Sequence, residues 1–204
     1  MARATRDLGA KDRIVEAAGE VVAERGLHGA SVRVIAERAG VSTGYITHYF
    51  ADKHELMESV LTSTNTVAAQ RVTAAIDRCP SGIAAVRAAV DAVLPLDPPR
   101  RREWQIWVAV WGEAAQGDSL ARGYREGWAG LRGILAAQLR RAQEQGELDA
   151  DVDSEHQAQR LVTLLAGIGL LAGVERPGRV RDEAVQMIDE ELARVSGGPR
   201  RVAA

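Results

Sequence analysis

Residues Ser31–Lys53, with the sequence SVRVIAERAGVSTGYITHYFADK, decide the fold of this chain. The stretch predicts two short helices joined by a tight turn and followed by the start of a third helix. Ser31 and Ser42 are each placed to cap a helix, because a serine hydroxyl accepts a hydrogen bond from an amide of the first helical turn. Gly40 is expected to end the first helix, since glycine adopts the left-handed conformation common at that point without steric cost.

The second of these helices combines an apolar inner side with an outer face of hydrogen-bond donors. Ile46 and Phe50 are four residues apart and are expected to face inward together. Apart from one glycine, the outer positions carry hydroxyl, phenol or imidazole groups and no carboxylate: Thr43, Gly44, Tyr45, Thr47 and His48. Such polar side chains donate hydrogen bonds to phosphates and base edges. The pattern is typical of a helix-turn-helix unit whose second helix lies in the major groove of DNA.

The third helix is expected to begin with Asp52 as its cap and Lys53 as its first residue. The N–H groups at a helix N-terminus and an ammonium group together favour an anion. Composition indicates Lys53 independently, because lysine stands only at Lys11 and Lys53 among the 26 basic residues. A compact ammonium suits a single phosphate oxygen. We therefore expect Lys53 to contact a DNA phosphate.

Residues 10–60 resemble the DNA-binding domain of the TetR family of transcriptional regulators. The positions that match the family pattern are Ser31, Ile35, Ala36, Ala39, Gly40, Val41, Ser42, Gly44, Phe50, Lys53 and Leu56. Thr47 stands where most members have a tyrosine that contacts phosphate, although a hydroxyl remains. The run GYITHYFADKHEL is most similar to the branch of the family that contains the choline-responsive regulator BetI.

The resemblance implies a homodimeric, ligand-responsive repressor that binds double-stranded DNA. Two copies of the second helix would enter successive major grooves of a near-palindromic operator, about 34 to 36 Å apart. Base contacts are expected from Arg33, Thr43 and Tyr45. Phosphate contacts are expected from Ser31, Thr47, Tyr49 and Lys53, while His48 suits either role, and Ser42 and Gly44 complete the DNA-binding set.

Length and composition fit a helical regulator and argue against other classes. The 204 residues suffice for one or two domains with a sizeable core, and 46% of them are hydrophobic. A net charge of -2 argues against a protein that coats DNA or RNA without specificity. No histidine pair has metal-ligand spacing and no catalytic motif occurs, so we expect no enzyme, no cofactor and no metal site.

A cytoplasmic location is expected. The single cysteine, Cys79, cannot form an internal disulfide, and the start of the chain lacks the order of regions that marks a signal peptide. The longest apolar run, Leu161 to Val174, falls short of the roughly 18 to 20 residues that a membrane crossing needs. It is expected to be a buried helix.

Helical periodicity and helix-breaking residues predict an all-α chain of about nine helices. Residues 1–10 are expected to form a flexible arm, either a solvated tail or a minor-groove arm, and 197–204 a flexible tail. A helix-turn-helix DNA-binding domain is expected at 11–56, with a scaffold helix that ends at Gly26. A helical effector-binding and dimerisation domain is expected at 57–196. Its later helices are predicted to start near Ser81, Asp97, Asp118 or Ser119, Asp153 and Pro177.

Aromatic residues are concentrated on two of these helices. Trp104, Trp107 and Trp111 share one helical face, and Tyr124 and Trp128 lie four residues apart on the next helix. One interpretation is core or interface packing. The other is an effector pocket, because tryptophan faces attract quaternary ammonium ions by about 0.5 to 2 kcal/mol each. Glu103 or Glu113 would then supply a counter-charge for a choline-like ligand.

Small residues mark two segments for close helix packing. Gly123, Gly127, Gly130 and Gly133 predict a kink or a close contact in the helix that carries them. The run GIGLLAG, Gly167 to Gly173, suggests a subunit interface. The family resemblance implies a four-helix bundle across a two-fold axis, formed by the helices around 154–173 and 178–195.

Two other functions compete with that of a ligand-responsive regulator. A helical enzyme with an incidental helix-turn-helix would need a catalytic or metal-binding set, and none is visible in the sequence. A constitutive DNA-binding module without an effector would be favoured by closely packed tryptophans with no internal cavity.

Overall fold

The computed structural model describes residues 2–114, 119–172 and 177–195, and in those ranges the chain forms nine helices and no strand. The helices are α1 (Ala2–Gly29), α2 (Val32–Ala39), α3 (Thr43–Tyr49), α4 (Lys53–Ile76), α5 (Gly82–Val93), α6 (Pro98–Ala114), α7 (Ser119–Glu144), α8 (Ser154–Ala172) and α9 (Pro177–Val195). The predicted all-α class is confirmed. None of the described helices combines the length and the apolar character of a membrane span. The predicted tail at 197–204 and the cap Asp118 lie outside the described residues.

Serine caps begin three of the helices, as predicted. The amide of Val34 donates to Ser31 Oγ at 3.3 Å, and the amide of Tyr45 donates to Ser42 Oγ at 3.1 Å. At the start of α5 the amide of Ala84 donates to the hydroxyl of its own cap, Ser81. Each bond satisfies one of the amides that a helix N-terminus leaves without a partner inside the helix.

The turn between α2 and α3 depends on Gly40, again as predicted. Its φ of 67° lies in the left-handed region, where a side chain would be strained. The amide of Gly40 donates to the carbonyl of Glu37 at 3.4 Å, and the amide of Val41 donates to that of Ala36 at 3.0 Å. This pair of bonds is a Schellman motif, which stops α2 and turns the chain towards α3.

Helix α1 is interrupted at Gly26, where the sequence predicted the end of the scaffold helix. Gly26 has non-helical angles, with φ 67° and ψ 175°, and a short turn at 27–29 follows it. Helix α1 begins at Ala2, so its backbone is helical through most of the segment that was expected to be a flexible arm.

The described residues group into two compact units. Residues up to 66 together with 102–126 form the first unit, and residues 67–101 together with those from 127 onwards form the second. Buried side chains of the first unit include Ile14, Val21, Ile35, Ile46, Phe50, Leu56 and Leu61. Those of the second include Val86, Val90, Leu135, Leu139, Leu161, Leu165 and Ile188. The functional boundaries at 11–56 and 57–196 stay predictions.

One glycine of α7 makes the close contact that the sequence suggested. A Cβ atom on Gly123 would lie 3.1 Å from Leu61 Cδ2, so α7 packs tightly against α4 at this point of the first unit. Gly130 and Gly133 have open space where their Cβ atoms would be. Only Gly123 therefore has a packing reason among these three glycines.

Candidate nucleic-acid interface and aromatic cluster

The recognition helix α3 is held by two apolar side chains on its inner side. Ile46 is 2% exposed and Phe50 is 1% exposed, in agreement with the predicted inward face. The ammonium of Lys11 on α1 lies 5.1 Å from the centre of the Phe50 ring, a cation–π contact. This anchoring fixes which positions of α3 point to solvent.

The outer face of α3 is exposed as the sequence predicted. Tyr45 is 38% exposed, and Thr43, Thr47 and His48 are exposed as well, while Tyr49 is half-buried. The phenol of Tyr49 donates to the phenol oxygen of Tyr45 at 3.3 Å, and the two rings meet edge to face. Thr47 Oγ1 donates to the carbonyl of Gly44 one turn earlier. These bonds stay within α3 and leave its outer face open to a ligand.

The predicted contacts at the starts of α2 and α3 are also exposed. Ser31 and Ser42 use their hydroxyl oxygens as acceptors for the capped amides, and a hydroxyl group keeps one O–H to donate. Arg33 Nε donates to Glu37 Oε1 at 3.1 Å, but the two side chains are 84% and 63% exposed. An ion pair this exposed contributes about 0 to 1 kcal/mol to the stability of the fold, so Arg33 can exchange Glu37 for another partner at little cost.

Lys53 has a partner that sequence reasoning did not find. The side chain is half-buried, and its Nζ donates to the carbonyl oxygen of Leu27 at 2.6 Å. The donor and the acceptor are 26 residues apart, so no local pattern in the sequence could have indicated the bond. One donor of the ammonium, the expected phosphate ligand, is therefore engaged within the protein.

Ionic and capping bonds fix the helices around the recognition helix. Arg38 on α2 donates to both carboxylate oxygens of Glu24 on α1, at 3.0 and 2.5 Å, and to Glu20 at 3.0 Å. The hydrogen bond from Arg38 lowers the pKa of the Glu24 carboxyl. At the start of α4 the amide of Glu55 donates to Asp52 Oδ1 at 2.9 Å, in agreement with the predicted cap.

The tryptophans of α6 pack in the first unit with residues of α4 and α7. Trp104 and Trp107 are 3% and 7% exposed, and their rings meet edge to face with centres 5.2 Å apart. Trp107 Nε1 donates to Asn65 Oδ1 at 3.0 Å, and Asn65 Nδ2 in turn donates to the carbonyl of Gly123 at 3.2 Å. These bonds join three helices, and no motif in the sequence marked Asn65 as the partner.

A second aromatic pair in this unit is less buried. Trp111 and Tyr124 are half-buried and stacked, with ring centres 5.7 Å apart and an interplanar angle of 28°. The structure thus brings the predicted aromatic residues together as two pairs, Trp104 with Trp107 and Trp111 with Tyr124. Trp128 is half-buried and belongs to the second unit.

The structure describes the side chain of only one of the two carboxylates that were predicted as the counter-charge. Glu103 is 9% exposed and directly precedes Trp104 on α6, whereas the side chain of Glu113 lies outside the described residues. A shallow depression of about 200 Å³ lies on the same unit, lined by Glu58, Leu61, Thr62, Leu120, Arg122, Gly123 and Glu126. No tryptophan belongs to that lining, so this depression is not the predicted aromatic pocket.

The second unit carries a polar network that the sequence did not single out. Glu191 is 13% exposed and accepts hydrogen bonds from Gln157, Arg160 and Arg194. The pKa of the Glu191 carboxyl lies well below its usual range, mainly because Arg194 donates a hydrogen bond to it. Among the described residues, no group of histidine, cysteine or carboxylate side chains could hold a metal ion. Because Gln157 and Arg160 lie on α8 and Glu191 lies on α9, these hydrogen bonds tie α8 to α9.

Large apolar side chains are exposed on the two helices expected to form a subunit interface. Leu170 and Leu171 on α8 are 45% and 51% exposed, and Met187 on α9 is 48% exposed. Of the five large apolar residues exposed in the described part of the chain, three lie on these helices. Within the predicted interface at 154–173 and 178–195, the side chains at 173, 178–181 and 195 lie outside the described residues.

The fold and the exposed recognition helix define a helix-turn-helix transcriptional regulator, and two family comparisons agree. Residues 14–60 match the family described as bacterial regulatory proteins of the tetR family. Residues 82–197 match the C-terminal domain of the BetI-type transcriptional repressors. The chain belongs to the TetR family, with a C-terminal domain of the BetI type. It is a DNA-binding transcriptional regulator and not an enzyme.

Relatives resemble the chain over nearly its whole length. The HTH-type transcriptional regulator BetI of Pseudomonas paraeruginosa is 30% identical over 195 residues, which cover 92% of this chain and 95% of that protein. A transcriptional regulator from Rhodococcus sp. Rha1 is 30% identical with a TM-score of 0.79, over 93% of this chain and 99% of that one. A regulator from Saccharomonospora viridis, solved in complex with choline, is 26% identical with a TM-score of 0.83, over 89% and 94%.

Proposed function

We propose that this regulator is a repressor that binds a near-palindromic operator as a homodimer and leaves it when a small cation binds beside the tryptophans. The observation that carries the DNA-binding part is the outer face of α3. Ile46 and Phe50 bury the inner side of that helix, while its exposed positions hold donors and no carboxylate. A polyanion can therefore approach this face without repulsion from α3.

Roles for individual residues follow from exposure and chemistry. Tyr45, Thr43 and Arg33 are exposed and would contact base edges in the major groove. Contacts to phosphate would come from the hydroxyls of Ser31, Thr47 and Tyr49 and from Lys53, with His48 suited to either role and Ser42 and Gly44 completing the face. The start of α2 supports phosphate binding, since the dipole at a helix N-terminus favours an anion.

Dimerisation would use α8 and α9. The exposed Leu170, Leu171 and Met187 support this interface, because large apolar side chains gain free energy when a second copy covers them. A two-fold axis would place the two copies of α3 about 34 Å apart, one turn of B-form DNA, and this spacing requires a near-palindromic site.

The effector would be a small quaternary ammonium compound similar to choline. The aromatic pair Trp111 and Tyr124 is half-buried and offers faces that attract such cations. Glu103 adds a buried carboxylate on α6, the helix that carries Trp111. The Saccharomonospora viridis regulator in complex with choline supports this ligand class. A ligand releases the operator only as far as it binds the released state better than the DNA-bound state.

The burial of Trp104 and Trp107 supports a second candidate, a DNA-binding module without an effector. Both rings are almost fully covered, and the N–H of Trp107 is bonded to Asn65. In that case the tryptophans serve packing alone. The two candidates share the DNA-binding role and differ in their response to the cation.

Selection of bound duplexes from a random DNA pool tests the DNA-binding role. We expect the wild-type protein to enrich a palindromic motif and Tyr45→Ala to lose it. Thr66→Ala, which alters an exposed threonine on α4 outside the proposed interface, is the matched control and should enrich the wild-type motif. If the folded wild-type protein enriches no motif, the proposal that it binds a specific operator is wrong.

Titration of the operator complex with choline chloride then tests the effector. We expect operator affinity to fall with choline but not with 3,3-dimethylbutan-1-ol, a neutral compound of the same shape, because only the cation is attracted electrostatically to an aromatic face. Trp111→Leu should weaken the response and leave operator affinity without choline unchanged. Equal responses to both compounds, or none, would favour the module without this effector.

A further inference from the structure

The bond between Lys53 and Leu27 joins the two ends of the helix-turn-helix unit. Lys53 is the first residue of α4, and its Nζ lies 2.6 Å from the carbonyl oxygen of Leu27, directly after the break at Gly26. The same carbonyl accepts the amide of Ala30 at 3.3 Å, within the turn that leads to the cap Ser31. All residues of α2 and α3 lie between the two bonded groups.

Both ends of this bond are fixed in place. The side chain of Leu27 is 7% exposed and anchors the turn in the core. Lys53 follows the cap Asp52 and stands three residues after the buried Phe50. A charge-assisted hydrogen bond to a half-buried acceptor is stronger than an exposed ion pair such as that of Arg33. The ammonium therefore holds the start of α4 against the turn that positions α2.

We propose that Lys53 is a positioning residue that closes the helix-turn-helix unit through Leu27 and keeps this bond when DNA is bound. An ammonium has three N–H donors, so one stays on Leu27 while the others face one phosphate. The phosphate contact rests on the proposed function, whereas the closure of the unit is a property of the protein without DNA. As a consequence, α4 cannot move away from the turn at Leu27 without breaking this bond.

Lysine-specific NMR tests the bond directly, because the chain has only Lys11 and Lys53. With ¹⁵Nζ-lysine and ¹³C-carbonyl leucine, we expect a hydrogen-bond coupling between Lys53 Nζ and one leucine carbonyl in the free protein. On addition of the selected operator duplex, that coupling should persist and a coupling to one ³¹P should appear. Lys11, whose ammonium lies over the Phe50 ring, is the internal control and should show neither coupling.

Two outcomes of the NMR experiment would overturn the proposal. Absence of the carbonyl coupling in the free protein would mean that Lys53 does not close the unit. Loss of that coupling in the operator complex would mean that Lys53 releases Leu27 and acts only as a phosphate ligand. A wild-type protein that binds no operator would contradict the proposed function, and the coupling in the free protein would still decide the closure.

Salt dependence separates positioning from phosphate binding. Lys53→Met should reduce the slope of log Kd against log salt by about 0.9 for each phosphate that the ammonium no longer neutralises. If Lys53 also positions the unit, a loss of about tenfold in affinity should remain at 1 M salt, where phosphate attraction is screened. Lys11→Met removes the same charge and should keep the wild-type slope. Equal affinity of wild type and Lys53→Met at 1 M salt would overturn the positioning role.

Discussion

The outer face of α3 and the aromatic side of α6 lie in the same compact unit and use their polar groups in opposite ways. On α3, Thr47 and Tyr49 form hydrogen bonds within the helix, and the side chains around them are exposed. On α6 the indole of Trp107 bonds to Asn65 of α4 and its ring packs on Trp104. The bonds on α3 stay within one exposed helix and leave its outer face accessible, while the bonds on α6 join different helices in the interior.

This difference separates binding from stability. A side chain that touches only solvent contributes little to the free energy of unfolding, and surface substitutions usually change it by about 0.5 kcal/mol or less. A buried aromatic ring contributes several times more, because its removal leaves a cavity. The two regions should therefore respond in opposite ways to substitution, and three experiments examine this contrast.

The largest expected effect is that of Trp104→Ala on stability. The ring is 3% exposed, so its loss should lower the free energy of unfolding by about 3 to 5 kcal/mol. Urea denaturation followed by circular dichroism measures the change. Tyr45→Ala on α3 is the control and should stay within about 0.5 kcal/mol of the wild type. Equal losses for the two variants would abolish the contrast.

A carboxylate on the outer face of α3 should affect binding and leave stability unchanged. Thr43→Glu brings a negative charge to the proposed DNA surface, and we expect operator affinity to fall by about a hundredfold or more, since juxtaposed like charges cost several kcal/mol. The fold should tolerate the change, because an acidic residue suits the first turn of a helix. Fluorescence anisotropy with labelled operator measures the affinity.

The control for this experiment is Thr66→Glu, which adds the same charge at an exposed position of α4. Its operator affinity should stay within a few-fold of wild type, as expected for a charge outside the interface. If both variants lose affinity alike, net charge rather than the face of α3 governs binding.

The smallest expected effect concerns the ion pair between Arg38 on α2 and Glu24 on α1. The bond from Arg38 lowers the pKa of Glu24, so this ion pair stabilises the protein above the ordinary glutamate pKa of about 4.3. That stability is lost as the pH falls through the lowered pKa of the folded state. Glu24→Gln should therefore lower the urea midpoint of unfolding slightly at pH 7. The difference in midpoint between the variant and the wild type should become smaller towards pH 3.

Glu16→Gln provides the comparison for this pH dependence, since Glu16 is an exposed carboxylate on the same helix. It should change the urea midpoint less than Glu24→Gln at pH 7. A gap between Glu24→Gln and wild type that is the same at pH 3 and pH 7 would show that the Arg38 pair does not stabilise the fold.

Much of the DNA-binding region could be predicted because its signals are local. The caps Ser31 and Ser42 bond to amides three residues later, and Gly40 stops α2 through bonds within five residues. The inward pair Ile46 and Phe50 follows from helical periodicity alone. The start of the chain gave a weaker signal: residues 1–10 were expected to form a flexible arm, and the backbone of α1 is helical from Ala2.

The aromatic region could be predicted only in part. Spacing indicated that Trp104 and Trp107 share a face, but burial by other helices decides whether such a face packs or binds a ligand. Gly82 shows the same limit: a Cβ atom there would lie 2.3 Å from the backbone nitrogen of Ala142, a contact that no local pattern announces. Packing between distant segments leaves no periodic signal in one sequence.

The sequence by itself determined the helices, the turn at Gly40 and the donor-bearing outer face of α3, because capping and periodicity act over about five residues. The tertiary structure decided which partner each polar side chain takes. Lys53 bonds across 26 residues to Leu27, and Trp107 bonds across 42 residues to Asn65. A hydrogen bond requires atoms within about 3 Å of each other, and only the packing of whole helices brings such distant residues that close.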